Sequence, residues 1–444
     1  MSFLTFGELR AERRRDLRQA QLAKGEAAAG SLGRRMESLD TVIIGAGQAG
    51  LATSYCLRQL GRDHVVLERS RVADTWRSRR WDSFTLVGPN WTCTLPGAPY
   101  RGRDPDGYMG KAELVGFFER YARSFDAPVR EGIAARRLRR DDGAGLYIVE
   151  TDEGEIQSRN VVVATGAYQR PKLPATSSDI DPRVAQLHSD AYRNPAQLPD
   201  GAVLVVGSGQ SGCQIAEDLR EAGRDVYLAT SSVGWFPRRY RGHDNVWWRN
   251  EMGFFEKTVD TLASPKDRMA AVPIQTGRSG GHDISLRTLA AMGVRLAGRL
   301  AAASGTRVRF ADDLETNLAR SDEVAHRLIA EIDDFIRARG IGAPPDLLDR
   351  SASGRSMPGI TELDLEKARV GSVVWATGYE FDWGWVELPA FDEYAYPIQR
   401  QGVTSWPGLY FVGLHWMHTR GSGLIWGVGR DAEHIASHIA ATRP

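Results

Sequence analysis

The chain has 444 residues, 42% of them hydrophobic and 25% charged, and a formal net charge of +1. That length suits two or three domains, and the balanced charge excludes the broad basic field of a nucleic-acid binder. No apolar run approaches the ~20 residues of a bilayer span, and no secretory leader is legible, so a cytoplasmic address is expected.

Residues 1–38 read as a basic N-terminal extension. The stretch "FGELRAERRRDLRQAQLAKGEAAAG" is Arg-rich and helix-forming and ends in small residues, as in a solvated helix or a basic arm. From Leu39 the order is strand, Gly-rich turn, helix and strand: "TVIIGAGQAG", "LATSYCLRQLG", "HVVLERS". An aromatic loop broken by Pro and Gly follows, then a helix predicted from Lys111 to Phe125. "LYIVETDEGEIQSRNVVVATG" reads as two strands around a turn. The first unit then repeats as "VLVVGSGQSGCQIAEDLREAGRDVYLATSS". Trp235 to Ala368 reads as mostly helical and polar, "GSVVWATGYEF" echoes "NVVVATGAYQR", and a strand, a loop and a helix close the chain.

Each repeat carries GxGxxG between an apolar strand and a helix: Gly45, Ala46, Gly47, Gln48, Ala49, Gly50, and Gly207, Ser208, Gly209, Gln210, Ser211, Gly212. The first Gly permits the tight turn, the second lets a pyrophosphate approach the backbone, and the third lets helix close on strand. The helix N-terminus offers free N–H groups to the phosphates. Glu68, followed by Arg69, ends the first unit's second strand, where a carboxylate takes hydrogen bonds from an unphosphorylated ribose. That suits FAD or NAD. The second unit has Thr230 there, then Ser231, with Arg238 and Arg239 close behind. Small hydroxyls and cations suit the phosphorylated ribose of NADPH, with NADH use left open. Hydride then passes from NADPH to flavin.

Cys56, Cys93 and Cys213 form no CxxC pair and no zinc-ligand spacing, so a disulfide reductase is not expected.

From residue 39 onward the chain resembles the class B flavoprotein monooxygenases, which include the flavin-containing, plant auxin-forming and Baeyer–Villiger enzymes. The resemblance rests on "GAGQAG" with Glu68, "VVVATGAYQRPKLP", "LHSDAYRNP", "GSGQSG", "VVWATGYEF" and "YFVGLHW". It implies an α/β fold of two Rossmann-like dinucleotide-binding domains, the NAD(P)H domain inserted into the FAD domain. The expected boundaries are 39–197 and 370–444 for FAD, and 198–369, with a helical insertion, for NAD(P)H.

The resemblance also places Trp76, Thr165, Gly166, Thr377, Gly378 and Gly413 around the cofactors. It puts Asn90 beside flavin and nicotinamide, and Arg420 at the flavin pyrimidine edge. The family fingerprint is half present. His188 and Tyr192 match, but Pro182 and Val184 stand where Phe and Gly are expected. Tyr192 in place of Trp leans away from the Baeyer–Villiger enzymes, and His188 reads as an inter-domain hinge. The implied reaction reduces FAD with NADPH and forms a C(4a)-hydroperoxide with O2. The outer oxygen passes to a small organic substrate by N- or S-oxygenation or oxidative decarboxylation. The alternatives are an NAD(P)H oxidase or reductase that oxygenates nothing, and a Baeyer–Villiger monooxygenase. Substrate and O2 are the expected partners, without nucleic acid or an integral membrane segment, and a homodimer is implied by the resemblance alone.

Overall fold

The structure, a computed structural model, describes residues 37–348 and 354–442. The basic extension expected at 1–38 lies outside the described residues except for Glu37 and Ser38, which begin the first strand.

Strand β1 (Glu37–Ile44) leads through Gly45 into helix α1 (Gln48–Gln59) and strand β2 (His64–Glu68). The runs Val42–Ile44 and Val65–Leu67 are buried, as parallel strands covered on both faces must be. After helix α2 (Lys111–Ser124), β3 (Val129–Glu131) joins the free edge of β2, and β4 (Gly154–Val163) joins the other edge of β1. The antiparallel hairpin of Ala135–Asp141 and Leu146–Thr151 is appended to β4.

The chain then builds a second sheet. Its parts are β5 (Ala185–His188), β6 (Ala202–Val206), α3 (Gln210–Glu221), β7 (Val226–Ala229), α4 (Asn245–Glu251), β8 (Arg295–Ala297), α5 (Leu314–Arg339) and β9 (Val370–Trp375). These strands are parallel, in the order β8-β7-β6-β9-β5. The chain returns with β10 (Leu409–Phe411), completing β3-β2-β1-β4-β10, and α6 (Val428–Ala441) packs on α1. The fold is α/β, one dinucleotide-binding unit inserted in another.

Both expected boundaries move. Ser372 pairs with Ala185 and Val373 with Leu204, so β5 and β9 belong to the inserted unit rather than to the FAD segments. β9 covers the edge of β6 that β7 leaves open and β5 covers the far edge of β9, and neither is announced by a Gly-rich turn of its own. The insertion is also less helical than expected. Beside the 26-residue α5 it contains the antiparallel strands Leu300–Ser304, Arg307–Phe310 and Glu362–Asp364.

The two crossings between the units run side by side. Arg170–Pro171 pairs antiparallel with Tyr379–Glu380, and Lys172 N–H donates to the Gly378 carbonyl at 3.0 Å. His188 Nε2 donates to the same carbonyl at 3.0 Å, and its Nδ1 lies 3.0 Å from Asp190 Oδ1. Buried His188, at the end of β5, therefore ties the inserted unit to the second crossing.

Candidate functional site

The two Gly-rich turns have the same construction. Gly45 has φ +109°, and a Cβ there would lie 2.7 Å from the Ala164 carbonyl oxygen. A Cβ on Gly50 would lie 1.9 Å from the Gly45 oxygen. In the second unit Gly207 has φ +101°, and Cβ atoms on Gly207 and Gly212 would meet the Ala376 and Gly207 oxygens at 2.5 and 1.8 Å. Only glycine fits these four positions. Gly47 and Gly209 differ, because a Cβ on either meets nothing within 4 Å. The open space in front of each helix N-terminus is the shape a pyrophosphate fills, so both cradles fit a dinucleotide.

Around the first cradle Glu68 holds the turn. Its carboxylate accepts from Ala46 N–H at 2.8 Å and Ser70 N–H at 3.0 Å, while Arg69 is exposed. Gln48 donates to the Gly423 carbonyl at 3.3 Å and accepts from Trp76 Nε1 at 3.1 Å. Buried Ala49 explains Gly413, where a Cβ would come within 2.4 Å of the Ala49 methyl. The crossings carry the other expected residues. Gln169 Nε2 donates to Thr165 Oγ1 at 3.3 Å and the Gly166 carbonyl at 2.9 Å, and Thr377 Oγ1 donates to the Lys172 carbonyl.

Around the second cradle two expectations change. Thr230 is 1% exposed, with its hydroxyl donating to the Ala297 carbonyl and accepting from Asn317 Nδ2. Its hydroxyl is occupied inside the sheet rather than offered to a ribose. Arg238 is 2% exposed and ion-paired with Asp244, with Nη1 donating to the Val87 carbonyl at 2.9 Å. A guanidinium this deep needs an anion of its own, so Arg238 is not free for a 2′-phosphate. Arg239 stays on the surface and donates to the Gly280 and Gly281 carbonyls. Ser208 is buried, its Oγ accepting from Ser231 N–H at 2.8 Å, and Ser211 is half-buried on the first turn of α3.

Gln210 makes a reciprocal amide pair with the backbone of Gln275: its Oε1 accepts from Gln275 N–H at 3.1 Å and its Nε2 donates to the Gln275 carbonyl. Gln275 Oε1 in turn accepts from Arg249 Nη2 at 3.3 Å. Gln275 and Arg249 escaped the sequence reading. For Arg249 the only signal was its place in the aromatic, basic stretch after Trp235.

Between the cradles, loops from both units meet. Gly421 N–H donates to the Phe255 carbonyl at 2.9 Å and Arg420 N–H to the Lys257 carbonyl at 2.9 Å. Asn90, 7% exposed, donates through Nδ2 to the Asp104 carbonyl at 2.9 Å, and its Oδ1 has no partner among the described residues. A buried, unsatisfied acceptor is what a ligand N–H would complete.

A polar lattice ties the loop around Ser83 to α3. Asp218 accepts from Ser83 Oγ at 2.5 Å, Tyr192 OH at 2.6 Å and Arg278 Nη1 at 2.8 Å. Next to it His282 Nε2 donates to buried Glu217 at 2.6 Å, which raises the His282 pKa above its ordinary value of 6.5. The pair's stabilisation is therefore full below pH ~6.5 and is lost as pH rises through the raised native value. Because the His282 side chain is 39% exposed, solvent screens the pair to below about 1 kcal/mol. Thermal unfolding scanned from pH 6 to 9 should show a falling midpoint that His282→Gln flattens. An equal slope in the variant would assign the dependence elsewhere.

The pyridine nucleotide-disulphide oxidoreductase family matches residues 42–253. A CzcO-like oxidoreductase of Geobacillus kaustophilus is 33% identical over 404 residues, covering 90% of this chain and 98% of that protein. The chain belongs to the CzcO-like oxidoreductase family. Indole-3-pyruvate monooxygenase YUCCA1 of Oryza sativa subsp. japonica is 34% identical over 204 residues, 45% of this chain and 50% of that one. A flavin-containing monooxygenase from Stenotrophomonas maltophilia shares the fold, with TM-score 0.62 at 20% identity over 91% of this chain and 99% of that one. This CzcO-like chain is an oxidoreductase-family enzyme that shares the fold of the flavin monooxygenases. No helix among its described residues is long and apolar enough to cross a membrane.

Proposed function

We propose that the chain is an NADPH-dependent monooxygenase of small organic molecules. One observation carries the reading: the first helical residue of each cradle reaches the same loop cluster. Gln48 bonds Gly423, two residues from Gly421, which bonds Phe255. Gln210 bonds Gln275, which bonds Arg249, whose guanidinium lies 5.1 Å from the Phe255 ring. Reacting ends of two nucleotides laid along α1 and α3 would converge there.

FAD, when bound, supplies the hydride acceptor and the centre that activates O2. The chain's residues do the rest. The N-termini of α1 and α3 hold the pyrophosphates, and Glu68 holds the turn against the adenosine end. Asn90 Oδ1 accepts a ligand N–H. Arg420 and the N-terminus of α6 bring positive potential to the flavin ring. Trp91, Trp426 and Phe255 form an aromatic wall there, the kind of surface an oxygen-transfer site needs to keep water out.

Disulfide chemistry is disfavoured. All three cysteines are buried and free, and burial pushes the Cys56 and Cys93 thiols up to about 12, far from a nucleophilic thiolate. The oxygen acceptor on this reading is a soft nitrogen or sulfur atom, or a 2-oxo acid that is decarboxylated. The second reading, an oxidase or reductase without oxygenation, draws on Pro182 and Val184 in the incomplete fingerprint.

Stopped-flow reoxidation decides between them. The holoenzyme is reduced anaerobically with NADPH, in parallel with NADH, then mixed with oxygenated buffer. A lasting blue-shifted flavin spectrum before full reoxidation is expected. Immediate return to oxidised flavin with stoichiometric hydrogen peroxide, unaltered by candidate substrates, would establish the oxidase.

A further inference from the structure

Two guanidinium groups in the cluster between the cradles have no ion-pair partner among the described residues. Arg249 is 3% exposed. Its Nη2 donates to Asn245 Oδ1 at 2.7 Å and Gln275 Oε1 at 3.3 Å, both neutral amides. The guanidinium otherwise faces Phe236, Phe255 and Phe254, at 4.7, 5.1 and 5.4 Å from the ring centroids. Asp244, whose field reaches Arg249, is already committed to Arg238, Tyr108 and the N-terminus of α4. Burial, reinforced by Arg238 and Arg420, pulls the Arg249 pKa down to about 9.

Arg420 faces the same ring from the other unit. Its guanidinium lies 4.2 Å from the Phe254 centroid and 5.3 Å from that of Trp416. Among the described residues its side chain has no hydrogen-bond or ion-pair partner. Lys257 Nζ adds a third cation 5.3 Å from the Phe254 ring. Trp91 Nε1 is buried without an acceptor, its ring 6.3 Å from Trp426, which is 5.2 Å from Phe255. Arg249, Arg420 and Trp91 all present donors. A desolvated cation without a counter-charge is costly, and a ligand that brings the charge removes the cost.

We propose that Arg249 and Arg420 grip the carboxylate of the substrate, an organic acid whose flat apolar body packs among Trp91, Phe255 and Trp426. Guanidinium groups match a carboxylate in geometry as well as charge, and the aromatic wall selects the body. The word substrate rests on the monooxygenase reading; the anion site does not. A dinucleotide phosphate shares the anionic chemistry, but the two helix N-termini already offer sites for the pyrophosphates.

The test titrates the oxidised holoenzyme with phenylpyruvate, phenylacetate and phenylacetamide, following the bound flavin spectrum. Both acids should saturate, with the amide at least ~tenfold weaker. Arg420→Gln and Arg249→Gln should each weaken the acids by at least ~tenfold and move NADPH binding less than about twofold. If buried Arg249→Gln loses FAD or fails to fold, Arg420→Gln decides, because that side chain gives up ring contacts with Phe254 and Trp416 but no hydrogen bond or ion pair among the described residues. Equal binding of amide and acids, or no saturable response to either acid, overturns the proposal. So does selective weakening of NADPH, which would assign the pair to the dinucleotide phosphates. Acid binding without a lasting reoxidation intermediate would keep the site and remove the monooxygenase reading.

Discussion

Gly47→Ala and Gly209→Ala are expected to fold normally and each to lose one nucleotide. Both residues cap their helices with ordinary backbone, φ −83° and −74°, so alanine brings no strain. A Cβ at either position touches no protein atom within 4 Å, so stability should change by less than about 0.5 kcal/mol. The methyl instead enters the space in front of the helix N-terminus. Gly47→Ala should weaken FAD by roughly a hundredfold, ~2.8 kcal/mol. Gly209→Ala should keep its FAD and raise the NADPH requirement by a similar factor. Gly50→Ala is the contrast, since its Cβ would lie 1.9 Å from the Gly45 oxygen. Prising α1 from β1 should cost ~1–3 kcal/mol of stability as well as the flavin. FAD reconstitution titrations and anaerobic reduction rates read all three. Wild-type FAD affinity in Gly47→Ala would mean that the pyrophosphate lies elsewhere.

Asp244→Ala should be the most destabilising single change in the insertion. Asp244 neutralises Arg238, both less than 10% exposed, accepts from Tyr108 OH and caps α4 through Val246 N–H at 2.7 Å. Removing it strands a buried guanidinium and uncaps a helix, at a cost of ~3–5 kcal/mol. Asp244→Asn keeps acceptors for the cap and for Tyr108 while losing the charge, so its denaturation midpoint should fall between wild type and alanine. If Asp244→Ala unfolds within about 1 kcal/mol of wild type, the ion pair does not hold the insertion together. Because α4 carries Arg249, the same variant should also weaken phenylacetate binding.

What the sequence discloses is whatever depends on near neighbours in the chain. The turns at Gly45 and Gly207, the acid at Glu68 and the strand–helix–strand order follow from local sterics and patterning, and all are where the reading puts them. Contacts set by the return of a distant segment were hidden. Strand β5 is four residues of mixed polarity, and only its pairing with β9 reveals it. Arg238 looked like a phosphate ligand because it follows the right strand; its partnership with Asp244 depends on how the chain turns back. Arg249 carries no motif; what marks it is the lack of an ion-pair partner of its own among the described residues, which only three dimensions expose.

The nesting of one unit inside the other sets an order of assembly. Strands β5 to β9 are complete once Trp375 has been made, so the inserted unit can close on itself during synthesis. The outer sheet cannot. It lacks β10 against β4, and α1 lacks the covering helix α6, until Leu409–Ala441 emerge from the ribosome. Until then the edge of β4 and one face of α1 stand bare, and the first cradle has no loop at Gly423 to close it. The nascent protein therefore completes its second cradle before its first, the reverse of the order in which its two motifs are written.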